Sequence, residues 1–111
     1  TGSSDGIGRA AASAWAAARA EVVMVGRNEA KTAAAARAIM SATGNGQVHW
    51  AIADLSRRDA TLELARQLAA RHPRIHVLAN NAGALFLERE DTGDGVERTF
   101  ALNHLAYMTL S

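Results

Sequence analysis

The 111-residue chain contains no cysteine, one proline and one lysine, and only 5 % of it is aromatic. Without cysteine there can be no disulfide, no thiolate metal site and no cysteine nucleophile. Its 12 basic and 11 acidic residues are interspersed and sum to +1, so no basic stripe is available. Together with the few aromatics, that argues against nucleic acid as a partner. No apolar run approaches the roughly 20 residues of a membrane span. No secretory leader is visible, so a cytoplasmic location is the default expectation. His49, His72, His76 and His104 have no metal-like spacing. What remains is 49 % hydrophobic and 21 % charged, the balance of an ordinary globular chain.

Along the chain, Ala-rich segments alternate with short β-branched runs. A helix is expected from about Gly6 to Arg19 on propensity, then a strand at Glu21–Val25. Asn28 can cap the next helix and Gly44 can end it in the left-handed region. A second strand is expected at Gln47–Ala53, with Val48, Trp50 and Ile52 alternating inward. Ser56 and Asp59 resemble a capping box for a third helix that uses Leu62, Leu64, Ala65 and Leu68 as its apolar positions. Pro73 stops that helix. Ile75–Asn80 reads as a third strand and the stretch after it as a loop. Asp94, with Glu97 three residues on, can cap a last helix. Trp15 and Trp50 are expected to pack in the core or between helix and sheet. No internal domain boundary is visible.

Strands alternating with helices imply a parallel sheet covered by helices, because parallel strands need crossovers. The fold class expected is α/β, a Rossmann-like doubly wound sheet. A complete dinucleotide fold of this kind has about six strands in two halves; three are readable here. Residues 1–111 are therefore expected to be one partial domain of this fold, truncated so that the first strand and the C-terminal half are missing. The last of the three strands would then have an unpaired apolar edge, and the isolated chain would be poorly stable.

The chain opens on "TGSSDGIG". Glycines at 2, 6 and 8 permit a tight turn, close backbone approach to a pyrophosphate, and an anion seat on the helix that begins near Gly6. A glycine-rich loop before a helix is also a common turn, and the loop alone leaves both readings open. Three further stretches bear on the choice: "DL" at Asp54-Leu55, "NNAG" at Asn80–Gly83, and "TGDGVERTFALNHLAY" from Thr92 to Tyr107. In this order and at this spacing the four motifs resemble the short-chain dehydrogenase/reductase family, in particular its retinol-dehydrogenase-like and related bacterial members.

The resemblance implies a role for each matching position. Gly2, Ser3, Ser4, Asp5, Gly6, Ile7 and Gly8 would wrap the pyrophosphate of NAD or NADP. The residue after the second strand of the family fold selects between the two. NAD-preferring members have an Asp there, whereas this chain has Gly26-Arg27, and Arg27 could pair with a 2′-phosphate. NADP is therefore expected. Asp5 is a counterweight, since many NADP-preferring relatives carry a basic residue in its place. Asp54 would accept from the adenine amino group, with Leu55 along the same edge. Asn80 would be structural, its side chain bridging backbone groups in the sheet, while Asn81, Ala82 and Gly83 would approach the cofactor ribose. Asn103 matches the Asn of the family's Asn-Ser-Tyr-Lys catalytic set. Ser111 stands four residues after Tyr107, where a lysine would be needed, so Tyr107 is expected to pack. The catalytic Ser, Tyr and Lys would lie beyond residue 111. Arg19 and Ala106 stand where glycine is common in the family.

The expected function is hydride transfer between NADP(H) and a small-molecule carbonyl or alcohol, with a homo-oligomer as the intact state. One alternative is a catalytically inactive NAD(P)-binding regulatory module. A sugar-nucleotide epimerase would space its glycines differently, and a methyltransferase would not account for "NNAG".

Overall fold

Alanine dominates the first half of the chain, and its small side chain lets helices lie close on a minimal sheet. The computed structural model describes all residues from Thr1 to Ser111. They form two compact units, Thr1–Ile52 and Ala53–Ser111, a division that no composition shift marks in the sequence.

In the first unit, α1 (Gly6–Ala17) leads to β1 (Val22–Gly26), α2 (Glu29–Thr43) and β2 (Val48–Ile52). The strands pair in parallel, Val22 opposite Val48 and Gly26 opposite Ile52. α2 is the crossover such a pair requires. Side chains two apart share a face of a strand, so Val22, Met24 and Val48 meet Ala12 and Ala16 of α1 and Ala35, Ala36 and Ile39 of α2 in one core. Asn28 caps α2 as its position suggests, its Oδ1 accepting from the Lys31 N–H at 2.9 Å. Gly44 ends α2 at φ +65°.

Three details of this unit differ from the sequence expectation. α1 stops at Ala17, and Arg19 lies at φ +66°, the left-handed position where a glycine would be unstrained. Trp15 is 39 % exposed, and Ile52, at the end of the strand, is 41 % exposed, so neither belongs to the core. Trp50 is half-buried, with the Arg37 guanidinium 5.6 Å from its ring centre. The buried Asn45 went unnoticed in the sequence. Its Nδ2 donates to the carbonyls of Ala16 and Ala20, and its Oδ1 accepts from the Gln47 N–H, all at 2.9 Å. One side chain thereby satisfies the end of α1 and the approach to β2.

The second unit holds α3 (Arg58–Arg71), α4 (Arg98–Phe100), a π-helical segment (Ala101–Leu105) and α5 (Ala106–Leu110). α5 packs on α3, whose Thr61 and Leu64 are buried. The capping box at Ser56 does not form, because α3 starts too late for Ser56 to be its N-cap: Arg57 holds that position without a side-chain cap. Instead, Asp54 Oδ1 accepts from the Ser56 N–H and hydroxyl at 3.0 and 2.7 Å. Asp94 is not the last cap either. The Glu97 carboxylate takes the Thr99 and Phe100 N–H groups at 2.7 and 2.8 Å, so the helical run begins at Arg98.

The third expected strand is absent. The sheet has two strands only, and Ile75–Asn80 is irregular, with Ile75 52 % and Val77 67 % exposed. A strand exists only by its ladder. In the doubly wound order the partner of this segment is the strand that precedes the glycine loop, and the sheet here holds β1 and β2 alone. No helix is long and apolar enough to cross a membrane.

Candidate functional site

The opening loop is fastened to the end of β1. The Ser3 N–H and hydroxyl both donate to the Val25 carbonyl, at 3.1 and 3.2 Å, and Ser3 is 5 % exposed. Ser3 is thus an anchor, with its side chain committed inside the protein. Gly2 at φ +63° and Gly6 at φ +49° make the turn, in a region costly for any residue with a Cβ. Asp5 caps α1: its Oδ1 accepts from the Gly6 N–H at 2.8 Å, and its carbonyl accepts from the Arg9 N–H at 3.0 Å. The N–H groups of Ile7 and Gly8 have no protein acceptor. Beside them nothing lies within 4 Å of where a Gly6 Cβ would stand, and the Ile7 side chain is 82 % exposed. Open space beside Gly6, free N–H groups and the positive end of a 12-residue helix fit an anion.

Asp5 has a second partner, Lys31 of α2, whose Nζ lies 2.6 Å from Asp5 Oδ2. That hydrogen bond, and then the Gly6 N–H, hold the Asp5 carboxyl below its ordinary value of 3.8. Arg27, at the end of β1, is exposed and engages in no ion pair or hydrogen bond. The preceding Gly26 is obligatory: a Cβ there would stand 2.1 Å from Thr32 Oγ1, and Thr32 is fully buried. A carboxylate side chain at the strand end is therefore excluded by packing, and a cation follows directly.

The second unit carries the remaining positions. One oxygen of Asp54 holds Ser56, as described, and the Leu55 side chain is 6 % exposed, so Leu55 has chiefly its backbone to offer. Asn81, Ala82 and Gly83 form a strip clasped by the last helical run. Asn103 Oδ1 accepts from the Ala84 N–H at 3.0 Å and its Nδ2 donates to the Ala84 carbonyl at 2.9 Å. One helical turn on, the Tyr107 hydroxyl donates to the Ala82 carbonyl at 2.6 Å. Tyr107 is thus a tether, where the sequence suggested packing. Side chains four apart share a helix face, which is the signal that could have found it. A Cβ on Gly83 would come to 3.3 Å from Asn103 Oδ1, so a side chain there would press on the Asn103 amide. Asn103 sits in the π-helical segment, a widened turn that recurs at functional sites. Asn80 does not bridge sheet strands, since no sheet forms around it. Its Nδ2 donates to Ser111 Oγ at 3.1 Å, and its buried Oδ1 has no partner.

Comparison with known proteins bears on the family and the fold. The family model described as short chain dehydrogenase matches residues 1–111. Retinol dehydrogenase 11 of Mus musculus is 34 % identical over all 111 residues, which cover 35 % of its length. A short-chain dehydrogenase of Sphingobium yanoikuyae, solved with NADPH, superposes with a TM-score of 0.82 at 31 % identity, over 98 % of this chain and 43 % of its own. A metagenomic short-chain oxidoreductase solved with NADP gives a TM-score of 0.82 at 32 % identity, over 98 % and 49 %. The chain spans 34–38 % of the length of the first curated relatives it matches. Its fold is part of a doubly wound α/β sheet, and with a family match from end to end the chain belongs to the short-chain dehydrogenases.

Proposed function

We propose that these residues are the NADP(H)-binding part of one doubly wound domain, in an oxidoreductase acting on a small-molecule carbonyl or secondary alcohol. The observation that carries the cofactor choice is Arg27: an unpaired, exposed guanidinium directly after a strand end where Thr32 forbids a side chain. A guanidinium pairs with a phosphate through charge-assisted bonds, and no carboxylate precedes it to repel one. The Sphingobium relative was solved with NADPH and the metagenomic one with NADP.

When bound, the nicotinamide supplies the hydride chemistry. The chain's own residues bind and orient. The N–H groups of Ile7 and Gly8 and the α1 dipole would take the pyrophosphate, with Ser3 fixing the loop to Val25. Asp54 and the Leu55 backbone would meet the adenine, and Asn81–Gly83 the ribose. Asn103 and Tyr107 hold that strip in place through Ala84 and Ala82. No Tyr-x-x-x-Lys pair occurs among the 111 residues, so the proton-transfer group is assigned to none of them, and Asn103 is a positioning residue. Exposed Phe100 and Met108 on the last helical run suit a subunit interface in a homo-oligomer.

The test is a titration of the full-length protein with NADPH and NADH. NADPH should bind about tenfold or more tightly, and Arg27→Ala should erase most of that preference while leaving NADH binding within about twofold. A wild type that favours NADH overturns the NADP reading.

A further inference from the structure

By the family resemblance Asp5 stands where many NADP-preferring relatives carry a basic residue, and a carboxylate there would oppose a 2′-phosphate. The structure supplies its counterpart. Lys31, the only lysine in the chain, reaches from the first turn of α2 to place Nζ 2.6 Å from Asp5 Oδ2. Both ends of the pair are fixed through the backbone. Asp5 is held by the Gly6 N–H on its other oxygen, and the Lys31 N–H is held by Asn28 Oδ1. Arg27 lies between two ties that join the same two segments, Ser3 to Val25 on one side and Asp5 to Lys31 on the other.

An exposed ion pair, here with Lys31 55 % and Asp5 74 % exposed, adds little to stability. Its consequence is electrostatic. The carboxylate caps α1, so its charge stays on the loop that Ser3 ties to Val25, two residues before Arg27, unless Lys31 cancels it.

Resting on the NADP reading above, we infer that Lys31 is a specificity residue: it neutralises Asp5, so that an anion at Arg27 meets no competing carboxylate. Lys31 acts through Asp5 and is not assigned a contact with the cofactor. The effect is Coulombic, so it bears on a phosphate dianion far more than on the neutral hydroxyl that NADH carries there.

The decisive experiment measures NADPH and NADH dissociation constants for the full-length wild type, Lys31→Met, and Lys31→Met combined with Asp5→Asn. Asparagine keeps a side-chain oxygen for the Gly6 N–H, and thermal melts of all three proteins show whether the fold is retained. Lys31→Met should weaken NADPH about fivefold or more and NADH less than about twofold, with the NADPH loss shrinking as salt is raised. Adding Asp5→Asn should return the NADPH:NADH ratio to within about twofold of wild type, since no charge then remains to be cancelled. An unchanged ratio in Lys31→Met overturns the inference. So does a loss that persists in the double variant, because Lys31 would then be acting on the phosphate directly. A wild type that prefers NADH removes the NADP reading itself, and is told apart because it needs no variant.

Discussion

The side-chain amide of Asn103 grips both backbone polar groups of Ala84, accepting from its N–H at 3.0 Å and donating to its carbonyl at 2.9 Å. An amide is the one neutral side-chain group that matches a peptide unit donor for acceptor. The segment around Gly83 has no strand ladder to hold it, so this clasp and the Tyr107–Ala82 bond fix it on either side of the glycine.

Replacing Asn103 therefore tests a positioning role. Asn103→Ala should cost about 1–2 kcal/mol, the worth of two partly exposed hydrogen bonds. Asn103→Asp should cost at least as much although it is isosteric, because a carboxylate turns an acceptor towards the Ala84 carbonyl. Denaturant unfolding followed by circular dichroism measures both. An Asp variant as stable as wild type would show that the clasp does not hold the strip.

Gly26 and Thr32 make a tighter prediction. A Cβ at Gly26 would fall 2.1 Å from Thr32 Oγ1, and that hydroxyl already donates to the Asn28 carbonyl at 2.7 Å inside the first turn of α2. Gly26→Ala should destabilise by about 2–4 kcal/mol as an overpacking change. Thr32→Ala added to it should recover part of the loss, giving a favourable coupling in a double-mutant cycle. Strict additivity of the two changes would refute the clash. By the same geometry, an NAD-type acidic residue cannot be installed at 26 without first emptying position 32.

Much of this was readable from residues whose effect is local. Asn28 and Gly44 bounded α2 because a cap needs only its own turn, and "TGSSDGIG" placed a loop before a helix for the same reason. The misses share a cause: they depend on partners that are not neighbours in the sequence. Ile75–Asn80 has strand composition, yet a strand is made by its neighbour. Asn45 reads as a loop residue until its amide is seen on Ala16 and Ala20, which lie 29 and 25 residues away. Ser56-Asp59 and Asp94-Glu97 both have capping spacing. Which residue caps was decided by where the helix begins, and spacing alone leaves that a turn uncertain. Within the candidate site the residue types were legible, but Ser3 as an anchor, Tyr107 as a tether and Lys31 as the partner of Asp5 required three dimensions.

Glu97 gives a prediction in pH. Its carboxylate accepts the Thr99 and Phe100 N–H groups, and these two bonds, the Thr99 one foremost, hold it below its ordinary value of 4.5. A carboxyl whose folded value is depressed binds fewer protons folded than unfolded, so its contribution is complete above 4.5 and fades as pH falls through the lower folded value. Glu97→Gln keeps an acceptor oxygen but no charge. Near pH 6 the wild type should melt at a higher temperature than Glu97→Gln, and towards about pH 3 the gap should narrow. Asp5 and Asp59 are lowered too, by Lys31 and Arg57 respectively, so both proteins lose stability in acid. The difference between them isolates Glu97. A gap that stays constant across the titration would mean the cap works by shape alone, without its charge.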